Sequence, residues 1–312
     1  MDKAFHRFFK RIIPSCFLAV AGFVLLAAWL DVFGLFGMTQ RTRVYGEERI
    51  SKYLMAFRYI PENFDGIILG PSLSANLNPA PISDVRYFNA SLMGARIQTM
   101  VPLLEQVLAS DHRMRKAWIC LHPYMTQQEG VEQHTLMRPS SYWSAFGSIH
   151  LLRVYGFALL RWLRLAPGKY PPNQYLENGT NQFEPLFRVP DVAAKIEAEK
   201  ALVNAGDFEI SPVAEQALNR LWQLLDSHHI ETTVYFHPVP LPIRAAHAER
   251  FRRYWEEIKA SYPAESSRII FENFNQPKYD FFSSDTTNYI DHGHLSTKGQ
   301  KRLLEELNRI SR

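Results

Sequence analysis

The sequence predicts an α/β protein: a flavodoxin-like, three-layer parallel sheet of the doubly wound type, preceded by one N-terminal transmembrane helix and interrupted by a helical insertion. Three observations predict it. Short apolar, β-branched runs alternate with stretches of helical period, the pattern of a parallel sheet covered by helices on both faces. Several of these runs stop at Gly-Pro or His-Pro, which mark strand ends. The interval between the third and fourth runs, roughly a hundred residues, is far longer than a crossover needs. Right-handed crossovers then favour the strand order 2-1-3-4-5.

The chain of 312 residues is 46% hydrophobic and 21% charged, a globular composition with ample core. Ile12 to Leu30 is apolar apart from Pro14 and Ser15, just long enough to span a bilayer as a helix of about 20 residues. Lys3, Arg7, Lys10 and Arg11 precede it against Asp2, which favours a cytoplasmic amino terminus and an exported remainder, although Arg41, Arg43 and Arg49 beyond the span oppose that bias. Leu26-Ala27-Ala28 is a poor cleavage site, so a retained anchor is expected over a signal peptide. The expected organisation is residues 1–36 as tail and anchor, 37–63 as linker and lead-in helix, and 64–312 as the α/β domain, with the insertion at about 125–210. The net charge of +4 is mild and no dense basic run is present, which argues against nucleic acid as a partner. Two cysteines, Cys16 and Cys120, supply no disulfide framework.

Apolar residues recur with helical spacing from Tyr45 to Tyr59. Ile67 to Leu69 is the first strand, cut by Gly70-Pro71. Val85 to Phe88 is the second, followed by Asn89-Ala90-Ser91-Leu92-Met93-Gly94-Ala95 and a helix from Ile97 to Leu108. Lys116 to Leu121 is the third, ending at His122-Pro123; Thr232 to Phe236 is the fourth, ending at His237-Pro238; Arg268 to Phe271 is the fifth. Within the insertion, which reads as a cap or lid, Ile149 to Leu165 is a helix with His150, Arg153, Arg161 and Arg164 on one side. The stretch from Lys169 to Pro190, with Pro171, Pro172, Pro185 and Pro190, is loop, and Ser211-Pro212 opens the next helix. An amphipathic helix closes the chain through about Ile310.

Ser72 stands just past the first strand, where open α/β sheets place their ligands. Alone it reads as a helix cap, the ordinary role of serine at that position. Asp291-His292-Gly293-His294-Leu295-Ser296-Thr297-Lys298-Gly299 alters that reading. An Asp three residues before a His can fix the imidazole tautomer, making His294 a general base and Asp291 its orienter. His292 lacks such an Asp and is the lesser candidate. Lone strand-end histidines, His122 and His237, are more often structural than catalytic. Together with His292 they are a weak metal set, and no metal or other cofactor is expected.

Gly-Pro-Ser72 near the start and Asp291-x-x-His294-Leu-Ser-x-x-Gly near the end resemble the SGNH (GDSL-like) hydrolase superfamily. The resemblance is closest to its membrane-tethered branch, which includes alginate acetylation and teichoic-acid D-alanylation proteins. It implies the flavodoxin-like fold and a Ser72-His294-Asp291 triad. The oxyanion hole would use the Ser72 backbone N–H, with Gly94 in a stretch similar to the family's second block. The family's third block, Gly-x-Asn-Asp, is missing, because the third strand runs into His122-Pro123-Tyr124. Asn89 or His122 would then have to supply the side-chain donor.

The resemblance implies a membrane-anchored serine O-acyltransferase or acylesterase. Its substrate would be the O-acyl groups of an envelope or exported polysaccharide, with a membrane-bound O-acyltransferase as a possible partner. It also implies a single-pass protein of the bacterial inner (cytoplasmic) membrane, with its catalytic domain on the periplasmic or extracellular side. The alternative from another class is an inactive SGNH-like scaffold that binds polysaccharide or serves a secretion complex. A third reading is a membrane-surface phospholipase or thioesterase, which a wide apolar pocket under the insertion would favour.

Overall fold

The computed structural model of the chain describes residues 3–37, 45, 48–109, 114–127, 149–165, 175–202, 208–263 and 268–311. Helix α1 (Lys3–Leu30) contains the apolar span and continues through Pro14. Two shorter helices follow, α2 (Glu48–Met55) and α3 (Tyr59–Asn63). The first strand, β1 (Gly66–Leu69), leads into a single turn, α4 (Ser72–Ala75). Next come β2 (Tyr87–Asn89), α5 (Ile97–Leu108) and β3 (Lys116–Leu121), and then the insertion with α6 (Ile149–Trp162) and α7 (Val192–Lys200). The remainder is α8 (Pro212–Ser227), β4 (Glu231–Phe236), α9 (Leu241–Ala246), α10 (Ala248–Ala260), β5 (Ile269–Asn273) and α11 (Thr297–Ile310).

The five strands form one parallel sheet in the order β2-β1-β3-β4-β5, as the sequence predicts. Each predicted strand is present, with ends displaced by one to two residues. The strand period of two sends alternate side chains to opposite faces. Ile67 and Leu69 of β1, Ala117, Ile119 and Leu121 of β3, and Val234 and Phe236 of β4 enter the core beneath α2, α5, α8 and α10. Ile68, Trp118, Cys120 and Tyr235 enter the opposite core, closed by Leu303, Leu304 and Leu307 of α11. The strands are apolar on both sides because helices cover both faces.

Two features depart from the expected organisation. Ala27, Leu30, Val32 and Phe33, at the end of α1 and just beyond it, are buried in the same core as β1 and α5. The apolar helix therefore ends inside the domain. Of the expected linker and lead-in, residues 38–44, 46 and 47 lie outside the described residues. Second, the described part of the insertion is laced to the sheet domain by backbone bonds rather than resting on it as a separate lid. Asn89 N donates to Asn178 O (2.7 Å), Asn181 N to Ala75 O (2.8 Å) and Val189 N to Ile290 O (2.9 Å). Helix α6 buries Val154, Tyr155 and Ala158, with Tyr155 edge-on to Phe23 and Trp162 edge-on to Trp29 of α1. The helix ends at Trp162, short of the predicted Leu165; Arg153 on it and Arg164 just past it face solvent, and the side chains of His150 and Arg161 lie outside the described residues.

Candidate active site

Three loops meet at the carboxyl ends of β1, β3 and β4. Gly70 is required by space: a Cβ there would sit 2.2 Å from Ser74 Oγ and 2.6 Å from Cys120 Cβ. This close approach turns the chain sharply into α4. Pro71 in extended conformation is the residue before the helix, and Ser72 is its first helical residue. Ser72 does not cap. Its Oγ lies 2.9 Å from His294 Nε2. The N–H at the first position of a helix has no intrahelical acceptor, so the Ser72 amide is available to a ligand.

The loop from Asn288 to Ser296 carries Asp291 and His294. His294 Nδ1 lies 2.7 Å from Asp291 Oδ2, while Asp291 Oδ1 accepts from Gly293 N (2.8 Å) and His294 N (2.7 Å). Since Asp291 only accepts, Nδ1 carries the proton and Nε2 is left basic toward the Ser72 hydroxyl. Burial alone would raise the Asp291 pKa. The hydrogen bonds and charge of His294 and the two backbone N–H groups outweigh it and hold the carboxyl at about 2. The rest of the motif is structural. Leu295 is core, Ser296 caps α11 by accepting from Gly299 N, and a Cβ at Gly299 would fall 2.1 Å from Asn288 O.

One contact closes this loop on itself: Ile290 N donates to His294 O (2.9 Å). Asn76, at the end of α4, donates from Nδ2 to Leu295 O (2.8 Å), which ties the turn that carries Ser72 directly to this loop. His237 Nε2 is 2.9 Å from Gly293 O. A carbonyl only accepts, so His237 carries its proton on Nε2, and Nδ1 faces the Cys120 thiol at 3.9 Å. Burial, moderated by that backbone bond, lowers the His237 pKa to about 4, and burial pushes the Cys120 thiol up to about 12. His237 is thus a neutral support, the structural role its strand-end position suggests. Asn76 gave no motif signal at all.

The oxyanion candidates divide. Asn89 is excluded as a donor: its Nδ2 serves Ser74 O (2.8 Å) and Leu77 O (2.9 Å), and its Oδ1 accepts from Ser91 N. Both amide hydrogens are committed to shaping α4, so none reaches a substrate. Gly94 occupies an exposed turn with φ +64°, the left-handed region that favours glycine. Its loop is tied to the nucleophile's turn through Leu92 N to Gly70 O (3.0 Å). It is held from outside by Glu48 Oε2 on Met93 N (2.7 Å) and by the buried Lys52 Nζ on Ser91 O (2.5 Å). Helix α2, expected to be a lead-in, is therefore the support of this loop.

His122 lines the same cavity as Ser72, and its buried Nδ1 has no hydrogen-bond partner. Burial and the neighbouring His237 lower its pKa to about 3, so it is a neutral imidazole. Tyr124, on the turn just after β3, went unnoticed in the sequence. Its Oη lies beside Ser72 Oγ, short of a well-formed hydrogen bond, and is buried with no other partner. Burial holds the phenol well above its ordinary pKa, so it remains an O–H donor. A buried donor without a partner at a reacting atom is where an anionic intermediate would gain most. His292 lines the same cavity, but its Nε2 faces Glu199 Oε1 at 3.8 Å rather than Ser72. Among the described residues, no three His, Cys, Asp or Glu side chains converge as a metal site. Phe183, from the insertion, packs edge-on against the His294 ring with centroids 5.4 Å apart and walls His294 on that side.

Compared by sequence, the chain matches no family model and no curated protein. Compared by structure, it is similar to a protein from Streptococcus pneumonia provisionally described as a platelet activating factor. That alignment has 10% identity and a TM-score of 0.46, and covers 86% of this chain and 92% of the other. It is also similar to an acetyl xylan esterase, Est2A, from the rumen bacterium Butyrivibrio proteoclasticus. Here identity is 11% and the TM-score 0.34, with 78% of this chain and 62% of the other covered. Likenesses this weak carry no argument about chemistry, which has to come from the side chains.

Proposed function

We propose that the chain is a membrane-anchored serine O-acyltransferase or acylesterase of the SGNH type, acting on O-acyl groups of an envelope or exported polysaccharide. The observation that carries the serine chemistry is the unbroken chain from Asp291 Oδ2 through His294 (2.7 Å) to Ser72 Oγ (2.9 Å) at the wall of an open cavity. Ser72 Oγ attacks the acyl carbonyl as its proton passes to His294 Nε2, forming an O–C bond and an oxyanion. The Ser72 N–H and Tyr124 Oη–H supply donors to that oxyanion, taking the place of the missing third-block Asn. Collapse expels the donor alcohol, which takes the proton from His294. A sugar hydroxyl or water then gives its proton to His294, attacks the acyl-serine, and restores Ser72. Polysaccharide as acceptor and a membrane-bound O-acyltransferase as the supplier of acyl groups rest on the motif resemblance. The helix Phe8–Leu30, long and apolar enough to cross a bilayer, supports the anchor.

The test compares O-acylation of exported polysaccharide in the parent cell with wild type and with Ser72→Ala. Loss or accumulation of O-acyl groups is expected, and an unchanged polymer would remove the proposal. The scaffold reading is motivated by the missing third block. The 2.9 Å contact and the adjoining cavity weigh against it.

A further inference from the structure

The cavity beside Ser72 has a volume of about 300 Å³. Its lining is of two kinds. Ser72, His122, Tyr124 and His294 bring polar groups, as do Glu199 and His292, which face each other at 3.8 Å. Val239, Ile243 and Phe251 form an apolar floor, each no more than 5% exposed, with Phe208 edge-on to Phe251 at 4.9 Å and Leu202 also in the lining. The floor belongs to α9, α10 and the connection from β4; Leu202 and Phe208 come from the insertion.

We propose that this floor is the acyl subsite, and that the group carried on Ser72 is a medium-length, unbranched acyl chain rather than acetyl. The inference rests on the serine acyl chemistry proposed above and deepens it. A dry cavity of about 150 Å³ holds a benzene ring. Twice that volume, less the polar part where the carbonyl and triad sit, leaves room for a chain of about six to eight carbons. An acetyl group would fill only the polar part and leave the buried walls of Val239, Ile243 and Phe251 in contact with water. Each methylene taken from water into such a site is worth up to about fourfold in binding. A chain of the right length is therefore selected over acetyl by tenfold at least. The carbonyl carbon stays at Ser72 Oγ for every chain length, so selection acts through binding of the tail.

The experiment uses the full chain at a fixed detergent concentration, with p-nitrophenyl esters from acetate to dodecanoate. Ser72→Ala supplies the background, and rates are normalised to alkaline hydrolysis of each ester. Two quantities are read: kcat/KM and the mass of the adduct on Ser72. The expected result is a rise of about threefold per methylene to an optimum near hexanoate or octanoate and a fall beyond it. Ile243→Phe, which fills the floor, should move the optimum to a shorter chain, and this shift separates pocket filling from partition of long esters into detergent. Acylation of Ser72 with a flat or acetate-first profile would overturn the acyl subsite and leave the serine chemistry standing. An optimum that Ile243→Phe does not move would place the tail elsewhere and also overturn it. Absence of any adduct on Ser72 would overturn both readings.

Discussion

Replacing Asp291 by Asn tests the triad through a tautomer. Asp291 accepts at both oxygens: two backbone N–H groups on Oδ1 and the His294 Nδ1–H on Oδ2. An Asn keeps one acceptor and gains a donor. If its oxygen keeps the Gly293 and His294 amides, its NH₂ faces His294 Nδ1. The imidazole must then accept there and carry its proton on Nε2, aimed at Ser72. If the amide flips, the NH₂ opposes two N–H donors, leaving two part-buried donors unsatisfied at about 1–3 kcal/mol each. The first arrangement is the cheaper, and it removes the base while leaving the site's shape. Loss of the correct tautomer in a serine triad costs about 10⁴ in kcat, so Asp291→Asn should lower the rate of acyl-Ser72 formation by about 10³ to 10⁴-fold.

The same substitution predicts a stability change with a definite sign. A carboxyl held at about 2 in the fold, against an ordinary 3.8, contributes stability above pH 3.8 that is lost as pH falls through about 2. The gap corresponds to about 2 kcal/mol. Chemical unfolding at neutral pH should show Asp291→Asn less stable by that amount, with the difference closing near pH 2. Burst kinetics with an activated ester, read beside the unfolding curves, checks both. An acylation rate within tenfold of wild type, in a variant showing the expected loss of stability, would refute the assigned role of Asp291.

Tyr124→Phe removes only the hydroxyl beside Ser72 and should lower kcat by about 10²-fold, as loss of one oxyanion donor does, with KM and melting temperature unchanged. His237 is buried and neutral, with a pKa of about 4 against an ordinary 6.5. The unfolded chain therefore binds the extra proton, and stability falls as pH drops from about 6.5 toward 4, by about 3 kcal/mol. His237→Gln should flatten that part of the curve measured by urea unfolding. Lys52→Met leaves Glu48 buried without its ion-pair partner (3.2 Å) and should cost about 3–5 kcal/mol, seen as a lower melting temperature. Deleting residues 1–37 removes Leu30, Val32 and Phe33 from the core, at about 1.5–3 kcal/mol each. Deleting only 1–24 spares them, so the longer deletion should melt about 10 °C or more below the shorter one.

The sheet was legible in the sequence because its strands are short apolar runs, three of them ended by Gly-Pro or His-Pro, and because both faces are covered. The pairing of Asp291 with His294 was legible because both lie within one loop, where spacing determines geometry. What escaped was whatever depends on distant parts of the chain meeting. Asn76 meets Leu295 across the whole sequence. Lys52 and Glu48 meet the loop after β2, and Tyr124 reaches Ser72 from the end of another strand. No local period encodes such meetings. Asn89 shows the converse. An Asn at a strand end looks like a free donor in a sequence, and only the carbonyls of Ser74 and Leu77 reveal that it is spent on shaping α4.

The burial of Ala27 to Phe33 bears on how the site would meet a membrane. A domain on a flexible linker samples many heights above a bilayer, and its substrate must find it there. Here the apolar helix runs into the core that also holds β1, and β1 ends three residues before Ser72. With α1 in a bilayer, few torsions separate the anchor from the nucleophile, and α6, packed on α1 with Leu160, Trp162, Leu163 and Leu165 exposed, would lie at the same surface. The triad would then stand at a fixed distance from the headgroups, a geometry suited to taking an acyl group from a membrane-embedded donor. Inserting a flexible Gly-Ser segment after residue 37 would leave this arrangement intact, because the rigid contact lies before it. Replacing Leu30 and Phe33 with Ala would loosen it. The second change should reduce polymer acylation more than it reduces turnover of a soluble ester, and equal losses in the two assays would show that the anchor's burial serves stability alone.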